Sequence, residues 1–340
     1  MIPENIKKLL KKQHYEIVGT PGKEHSAVQV CRWTKNSIRD EGACYKERFY
    51  GIKSHLCCQM TPAVMWCPNK CVHCWRAIEN TIGEKLTESD NELDTPKDIV
   101  DGCIEAQKKL LRGFKILPET EHKTVSKANM TKWQEAQEPM QFAISLSGEP
   151  TVYKRLGGLI QELRDRRKTS FLVTNGLYPE KLQELKQKNQ LPTQLYISVN
   201  SSNKQDYEKF HRSCLDDAWK RLNETLEMLS GLKGKTRTVF RMNLIRDLNM
   251  SEKNIKDFAE LIKKSQPMFV EVKGYMSVGF ARERLGYDRM PTHQEMKDFC
   301  LELEKELEDK GYKVLDEQEV SRVLVLGKNK EDLKIKENQK

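Results

Sequence analysis

The sequence predicts an α/β protein built on a parallel sheet, and two observations carry that reading. Six short runs rich in β-formers lie at 62–66, 141–147, 170–174, 194–199, 238–245 and 268–274. Amphipathic helical patterns fill the stretches between them. Strands alternating with helices imply a parallel sheet, and six of them give an open βα barrel or a doubly wound sheet.

Taken in order, residues 1–60 show no sustained period and are rich in Cys and Lys, so they read as an irregular N-terminal extension. The first strand is assigned to "PAVMW" at 62–66. A helix over 95–112 places Ile99, Val100, Cys103, Ile104, Leu110 and Leu111 on one face, with Pro96 at its start and Gly113 at its stop. Further helices fit 151–167, 179–188 and 252–264, and 216–230 carries Trp219, Leu222, Leu226 and Leu229. Thr292 and Glu295 form a capping-box pair ahead of Met296, Phe299, Leu303 and Leu307. Polar insertions at 77–93 and 114–140 are longer than a packed connection needs. The charged stretch 328–340 reads as a frayed tail, and no internal repeat is present.

Composition narrows the class. At 340 residues a sizeable core is accessible, although hydrophobic residues make up 37% and charged residues 32%. A net charge of +9 is a mild bias toward polyanionic partners. No signal-peptide core opens the chain, and no apolar run approaches the roughly 18 residues of a membrane span. A soluble, cytoplasmic, monomeric protein is expected. Thiols stay reduced there, so ten cysteines argue for metal or redox chemistry rather than disulfides.

"CPNKCVHCW" at 67–75 concentrates Cys67, Cys71 and Cys74 in a loop after the first strand. Thiolate sulfur suits zinc or iron–sulfur clusters. Zinc motifs normally come as two cysteine pairs, and no second CxxC exists in the chain. Three thiolates on a cubane [4Fe–4S] cluster leave one iron open to an exogenous ligand.

This motif resembles the three-cysteine signature of the radical S-adenosylmethionine (SAM) superfamily. The resemblance implies a partial (βα)6 barrel over 61–310, with the Cys-rich extension before it and C-terminal α/β elements at 311–340. It also implies that SAM chelates the open iron, and that one electron from the cluster releases a 5′-deoxyadenosyl radical that abstracts hydrogen. "SLSGEPT" at 145–151 resembles the superfamily's Gly-Glu-Pro motif, so Ser147, Gly148 and Glu149 are expected at the SAM ammonium. "TNG" at 174–176 and "SVN" at 198–200 end the next strands, which offers Asn175, Ser198 and Asn200 to the SAM carboxylate or ribose. Strand-end asparagines are often only turn formers.

Upstream, Cys31, Cys44 and Cys57 are separated by twelve residues each. Cys58 reads as packing, and Cys103 and Cys300 as core thiols. Around both triplets, "CYK", "FYGI", "QMTPA" and "CWR", with "EVKGYMSVGFARERLGYDRMPTHQEM" at 271–296, resemble the archaeal tRNA 4-demethylwyosine synthases. That resemblance spans about residues 28–325. It implies a carbon–carbon lyase that condenses N1-methylguanosine at position 37 of phenylalanine tRNA with pyruvate. It further implies a second [4Fe–4S] cluster on Cys31, Cys44 and Cys57, and Lys46 as the amine that holds pyruvate as a Schiff base. No reductase domain is recognisable, so the electron donor is expected to be external.

For the RNA, three basic groups are candidates: Lys7, Lys8, Lys11 and Lys12; Lys108, Lys109 and Arg112; and Arg282, Arg284 and Arg289. The last group follows the sixth strand, where Phe280 and Tyr287 could stack on a base. Each cluster could equally be a solvated face. His73 reads as local packing, His55 and His211 stay ambiguous, and Cys214 has no assignment. Two rivals remain: a peptide-modifying radical SAM enzyme with an auxiliary cluster, and a zinc-stabilised RNA-binding module.

Overall fold

The computed structural model describes residues 2–87, 89–115 and 128–339. Two compact units emerge, one of residues 1–66, 85–172 and 335–340, the other of 67–84 and 173–334. Neither unit edge falls at the expected domain boundaries of 60/61 and 310/311, and the first of these cuts through a strand.

The N-terminal stretch of the first unit is not irregular. It carries helix α1 (Glu4–Lys12), strands β1 (Glu16–Val18) and β2 (Ser26–Val28), helices α2 (Arg32–Ile38) and α3 (Tyr45–Tyr50), and strand β3 (Cys57–Thr61). α1 buries Ile6 and Leu10, one turn apart on one face. β1 and β2 form an antiparallel pair that continues antiparallel onto β3.

β3 corrects the first strand assignment. "PAVMW" is buried but turns rather than extending: Pro62 has no N–H for a ladder, and Met65 sits at φ 69°. The true strand is "CCQMT", with Cys58 and Met60 facing the core. β3 runs parallel to β4 (Gln141–Ile144), and β4 runs parallel to β5 (Thr169–Thr174). The crossover after β3 contains α4 (Pro96–Leu111), capped by Thr95 and burying Ile99, Val100, Cys103, Ile104 and Leu111. α5 (Met130–Glu135) lies in the 114–140 insertion, whose residues 116–127 are outside the described ones. Between β4 and β5 the chain makes a 3-10 turn at Pro150–Val152, so helix α6 (Leu156–Asp165) starts five residues later than the sequence pattern suggested.

The second unit repeats the rhythm. α7 (Pro179–Gln187), β6 (Gln194–Ser198), α8 (Lys204–His211), α9 (Ala218–Leu229), β7 (Arg237–Leu244), α10 (Glu252–Ser265) and β8 (Phe269–Gly274) follow in order. β6, β7 and β8 are parallel neighbours. After α11 (Ala281–Leu285) and α12 (His293–Glu306), strands β9 (Lys313–Gln318) and β10 (Val323–Gly327) close the edge, with β10 antiparallel to β8 and to β9. α12 has the expected capping box between Thr292 and Glu295.

The charged tail is anchored, not frayed. Leu333 is buried, and the Arg237 guanidinium donates to the carbonyls of Asp332 at 2.9 Å and Leu333 at 2.6 Å. Ile335 N–H then donates to Tyr50 O at 3.1 Å within the first unit.

Candidate metal centres and active site

In the first unit, Cys31 precedes α2, Cys44 precedes α3, and Cys57 opens β3. A small polar frame fixes their approach. Cys44 N–H donates to Ser54 Oγ at 2.9 Å, Ser54 Oγ donates to Glu47 Oε2 at 2.7 Å, and Thr34 Oγ1 donates to Ser54 O at 3.0 Å. The Cys57 thiol is pushed up to about 12, first by burial and then by the Cys31 and Cys44 thiols, while Lys46 opposes the rise. Cys31, Cys44 and Lys46 thus lie within electrostatic range of Cys57. Lys46 is buried in α3, with its ammonium 4.7 Å from the Phe171 ring centroid.

The second unit holds the other triplet in the loop 67–84. Backbone bonds pin this loop: Cys67 N–H to Gly83 O at 2.8 Å, Lys70 N–H to His211 O and Val72 N–H to Phe210 O at 2.9 Å each. The Cys71 thiol is pushed well above its ordinary range by burial, and further by Cys67 and Cys74. Arg76 is buried against them, its Nε donating to Cys74 Sγ at 3.2 Å.

Arg284, counted among the candidate RNA contacts, is instead bound to this loop. Its guanidinium donates to Val72 O at 3.0 Å, to Arg76 O at 3.2 Å, to Cys74 O, and to Glu79 Oε1 at 3.1 Å. Phe280 N–H adds a bond to Trp75 O at 3.0 Å.

Among the expected SAM contacts, Gly148 has φ +77°, and a Cβ on it would lie 1.9 Å from Ala63 O. Only glycine fits that turn. Ser147 is buried, its Oγ has no partner among the described residues, and its carbonyl accepts from Thr61 Oγ1 at 2.6 Å. Glu149 is buried, and its Oε1 accepts from Thr151 N at 3.1 Å and Thr151 Oγ1 at 2.7 Å. In the second unit Asn175 forms an Asx turn onto Leu177 N at 3.0 Å, and Ser198 ends β6 half-buried. Asn200 is spent on structure: its Oδ1 accepts from Asn243 N at 3.0 Å, and its Nδ2 lies 3.1 Å from His73 Nε2.

Arg282 is exposed and stacks over Tyr287 at 5.1 Å, and Tyr287 is itself 59% exposed. Arg289 Nη1 donates to Arg246 O at 3.4 Å. Lys7, Lys108 and Lys109 pair with Glu24, Glu105 and Glu16, as solvated faces do. His55 is buried against Glu135, with 2.7 Å between Nε2 and Oε2. The sequence reading left His211 ambiguous and assigned no role to Arg76 of "CWR", because both are defined by sulfur contacts made in the fold.

None of the ten cysteines is in a disulfide. Among the described residues no three His, Cys, Asp or Glu side chains close on a single metal ion. The donor set of each triplet is sulfur alone, with a buried cation beside it, and that chemistry fits an anionic iron–sulfur cluster.

An α/β chain with parallel strands, a three-cysteine loop and a glycine-cradled turn defines the radical SAM class. The family model for the radical SAM superfamily matches residues 62–259, and the one for wyosine base formation matches 264–328. The chain belongs to the tRNA 4-demethylwyosine synthase family. It is 42% identical to the S-adenosyl-L-methionine-dependent tRNA 4-demethylwyosine synthase of Pyrococcus abyssi, over 96% of this chain and 89% of that one. Among solved structures, "Structure of TYW1 with a lysine-pyruvate adduct bound" superposes with TM-score 0.81 at 33% identity, covering 99% of both chains. "Crystal structure of archaeal TYW1" superposes with TM-score 0.73 at 31% identity over the same shares. Membership of the superfamily implies SAM and a [4Fe–4S] cluster. Among the described residues no helix is long and apolar enough to cross a membrane.

Proposed function

We propose that this chain condenses N1-methylguanosine-37 of phenylalanine tRNA with pyruvate to form 4-demethylwyosine, acting as a carbon–carbon lyase. The observation that carries the reading is the buried Lys46, two residues past Cys44 at the start of α3 and within electrostatic range of Cys57. When bound, SAM and its cluster supply the hydrogen-abstracting radical.

The chain's own residues do the rest. Cys67, Cys71 and Cys74 hold the SAM-binding cluster, and Cys31, Cys44 and Cys57 hold a second one. Gly148 lets the backbone of Ser147 and Glu149 approach SAM, with Glu149 as the acceptor for its ammonium; Asn175 and Ser198 serve its carboxylate or ribose. Asn200 acts by holding His73 in place. Lys46 condenses with the pyruvate ketone and expels water, a role supported by the relative solved with a lysine–pyruvate adduct. Lys46 lies buried beside Phe171, and its attack on the ketone needs the neutral amine. Arg282, Arg289 and Tyr287 offer cations and a stacking face to the RNA. The protein works as a cytoplasmic monomer with an external electron donor.

The test is anaerobic reconstitution followed by incubation with methylated tRNA, SAM and pyruvate, and mass analysis of the nucleosides. The tricyclic base is expected from the wild type. Lys46→Arg keeps both clusters and forms no product; full product from that variant removes Lys46 from the reaction.

A further inference from the structure

Cys71 and Cys74 in the loop 67–84 each face a side-chain nitrogen. Arg76 Nε donates to Cys74 Sγ, and His211 Nδ1 lies against Cys71 Sγ, both at 3.2 Å. Holding a cluster requires neither contact, since a thiolate needs only its iron.

Arg76 is 3% exposed, and burying a guanidinium is costly unless negative charge answers it. Its other nitrogens reach Asn69 O at 3.0 Å and Thr81 Oγ1 at 3.3 Å, a carbonyl and a hydroxyl, neither of which carries charge. The countercharge is therefore the sulfur side of the site. The two outer bonds also fix the plane of the guanidinium, so Nε cannot swing away from Cys74.

His211 ends α8, is 3% exposed, and stacks on Tyr207 with ring centroids 4.3 Å apart. Its Nε2 is buried without a partner among the described residues. An iron-bound sulfur offers only lone pairs, so Nδ1 must carry the proton toward Cys71.

Reduction adds negative charge to a cluster and its sulfurs. A donor, and above all a cation, at those sulfurs stabilises the reduced form more than the oxidised one. We propose that Arg76, seconded by His211, raises the reduction potential of the cluster held by Cys67, Cys71 and Cys74. Arg76 is a positioning and tuning residue that acts through Cys74. The inference rests on the radical SAM reading of this loop.

The experiment is a potentiometric titration of the anaerobically reconstituted full chain with dithionite and mediators, followed by electron paramagnetic resonance. The signal that shifts on adding SAM reports this cluster. In Arg76→Gln, which keeps a donor but loses the charge, the reduced-to-oxidised ratio at fixed solution potential should fall at least tenfold, ~59 mV for one electron. His211→Phe keeps the stack on Tyr207 and should give a smaller fall in the same direction. A SAM-shifted signal with the wild-type midpoint in Arg76→Gln overturns the proposal and leaves the family reading intact. If Arg76→Gln holds no cluster, His211→Phe decides: it removes the donor at Cys71, so a SAM-shifted signal at the wild-type midpoint in that variant overturns the proposal. A wild type without any SAM-shifted signal overturns both.

Discussion

Gly148→Ala is the sharpest single perturbation of the first unit. The residue sits at φ +77°, a region that costs an L-residue about 1–2 kcal/mol. The new Cβ would lie 1.9 Å from Ala63 O and 2.8 Å from Trp66 O. Both are backbone atoms, so no rotamer change relieves the clash and one of the two turns must move. Movement breaks the bonds that couple them, Glu149 N–H to Trp66 O at 2.7 Å and Thr61 Oγ1 to Ser147 O at 2.6 Å. At about 1 kcal/mol net for each bond, the total comes to about 3–4 kcal/mol. That is a large part of an ordinary domain's stability of about 5–15 kcal/mol.

The assay is urea unfolding of the cluster-free chain, followed by tryptophan fluorescence because Trp66 lies in the turn that moves. Wild type and Gly148→Ala are compared alongside Gly22→Ala. Gly22 also has positive φ, but a Cβ there meets nothing within 4 Å, so that variant should lose only the conformational share. Equal losses in the two variants would refute the steric argument, since backbone conformation alone would then explain both.

Arg284→Met should loosen the loop 67–84 by leaving the carbonyls of Val72, Cys74 and Arg76 without their guanidinium donor; chelator bleaching of the SAM-sensitive cluster should quicken at least tenfold, about 1.4 kcal/mol. His25 is buried and neutral: its Nδ1 donates to Pro62 O at 2.6 Å and its Nε2 accepts from Asp94 N–H at 3.1 Å. Burial depresses its pKa below 6.5 despite the Asp94 carboxylate, so the unfolded chain takes up the proton first. Stability should hold above pH 6.5 and fall below it by up to about 1.4 kcal/mol per pH unit for this group, and unfolding of His25→Asn should show a slope flatter by that one proton. Arg282→Ala should weaken tRNA binding and lower the salt slope by about one, whereas Arg284→Ala, with its donors turned to the protein, should leave that slope unchanged.

What the sequence made legible follows from where the information sits. α4, α10 and α12 are long, periodic and capped, so the apolar stripe and the caps agree. α2 and α3 have seven and six residues, and β1 and β2 three each, too short for any period to declare itself. "PAVMW" misled because hydrophobicity marks burial and not extension, and a proline and a positive φ decided the conformation instead. The tail stays in place through Arg237, whose partners in the tail are backbone carbonyls, and a carbonyl leaves no trace in the residue identities.

The same distinction divides the site. Six cysteines were legible as candidate ligands, Cys67, Cys71 and Cys74 by their close spacing and Cys31, Cys44 and Cys57 through the family resemblance. Arg76, His211 and Arg284 were not, because each is defined by what it touches. His211 meets Cys71 across 140 residues of chain, and Arg284 meets Val72 across 212. Sequence spacing and family resemblance single out the candidate iron ligands, whereas the groups packed around them arrive only with the fold. Substitutions at the cysteines should therefore abolish the cluster outright. Substitutions at Arg76 and His211 should leave it bound with a changed potential, and at Arg284 bound with a shorter lifetime.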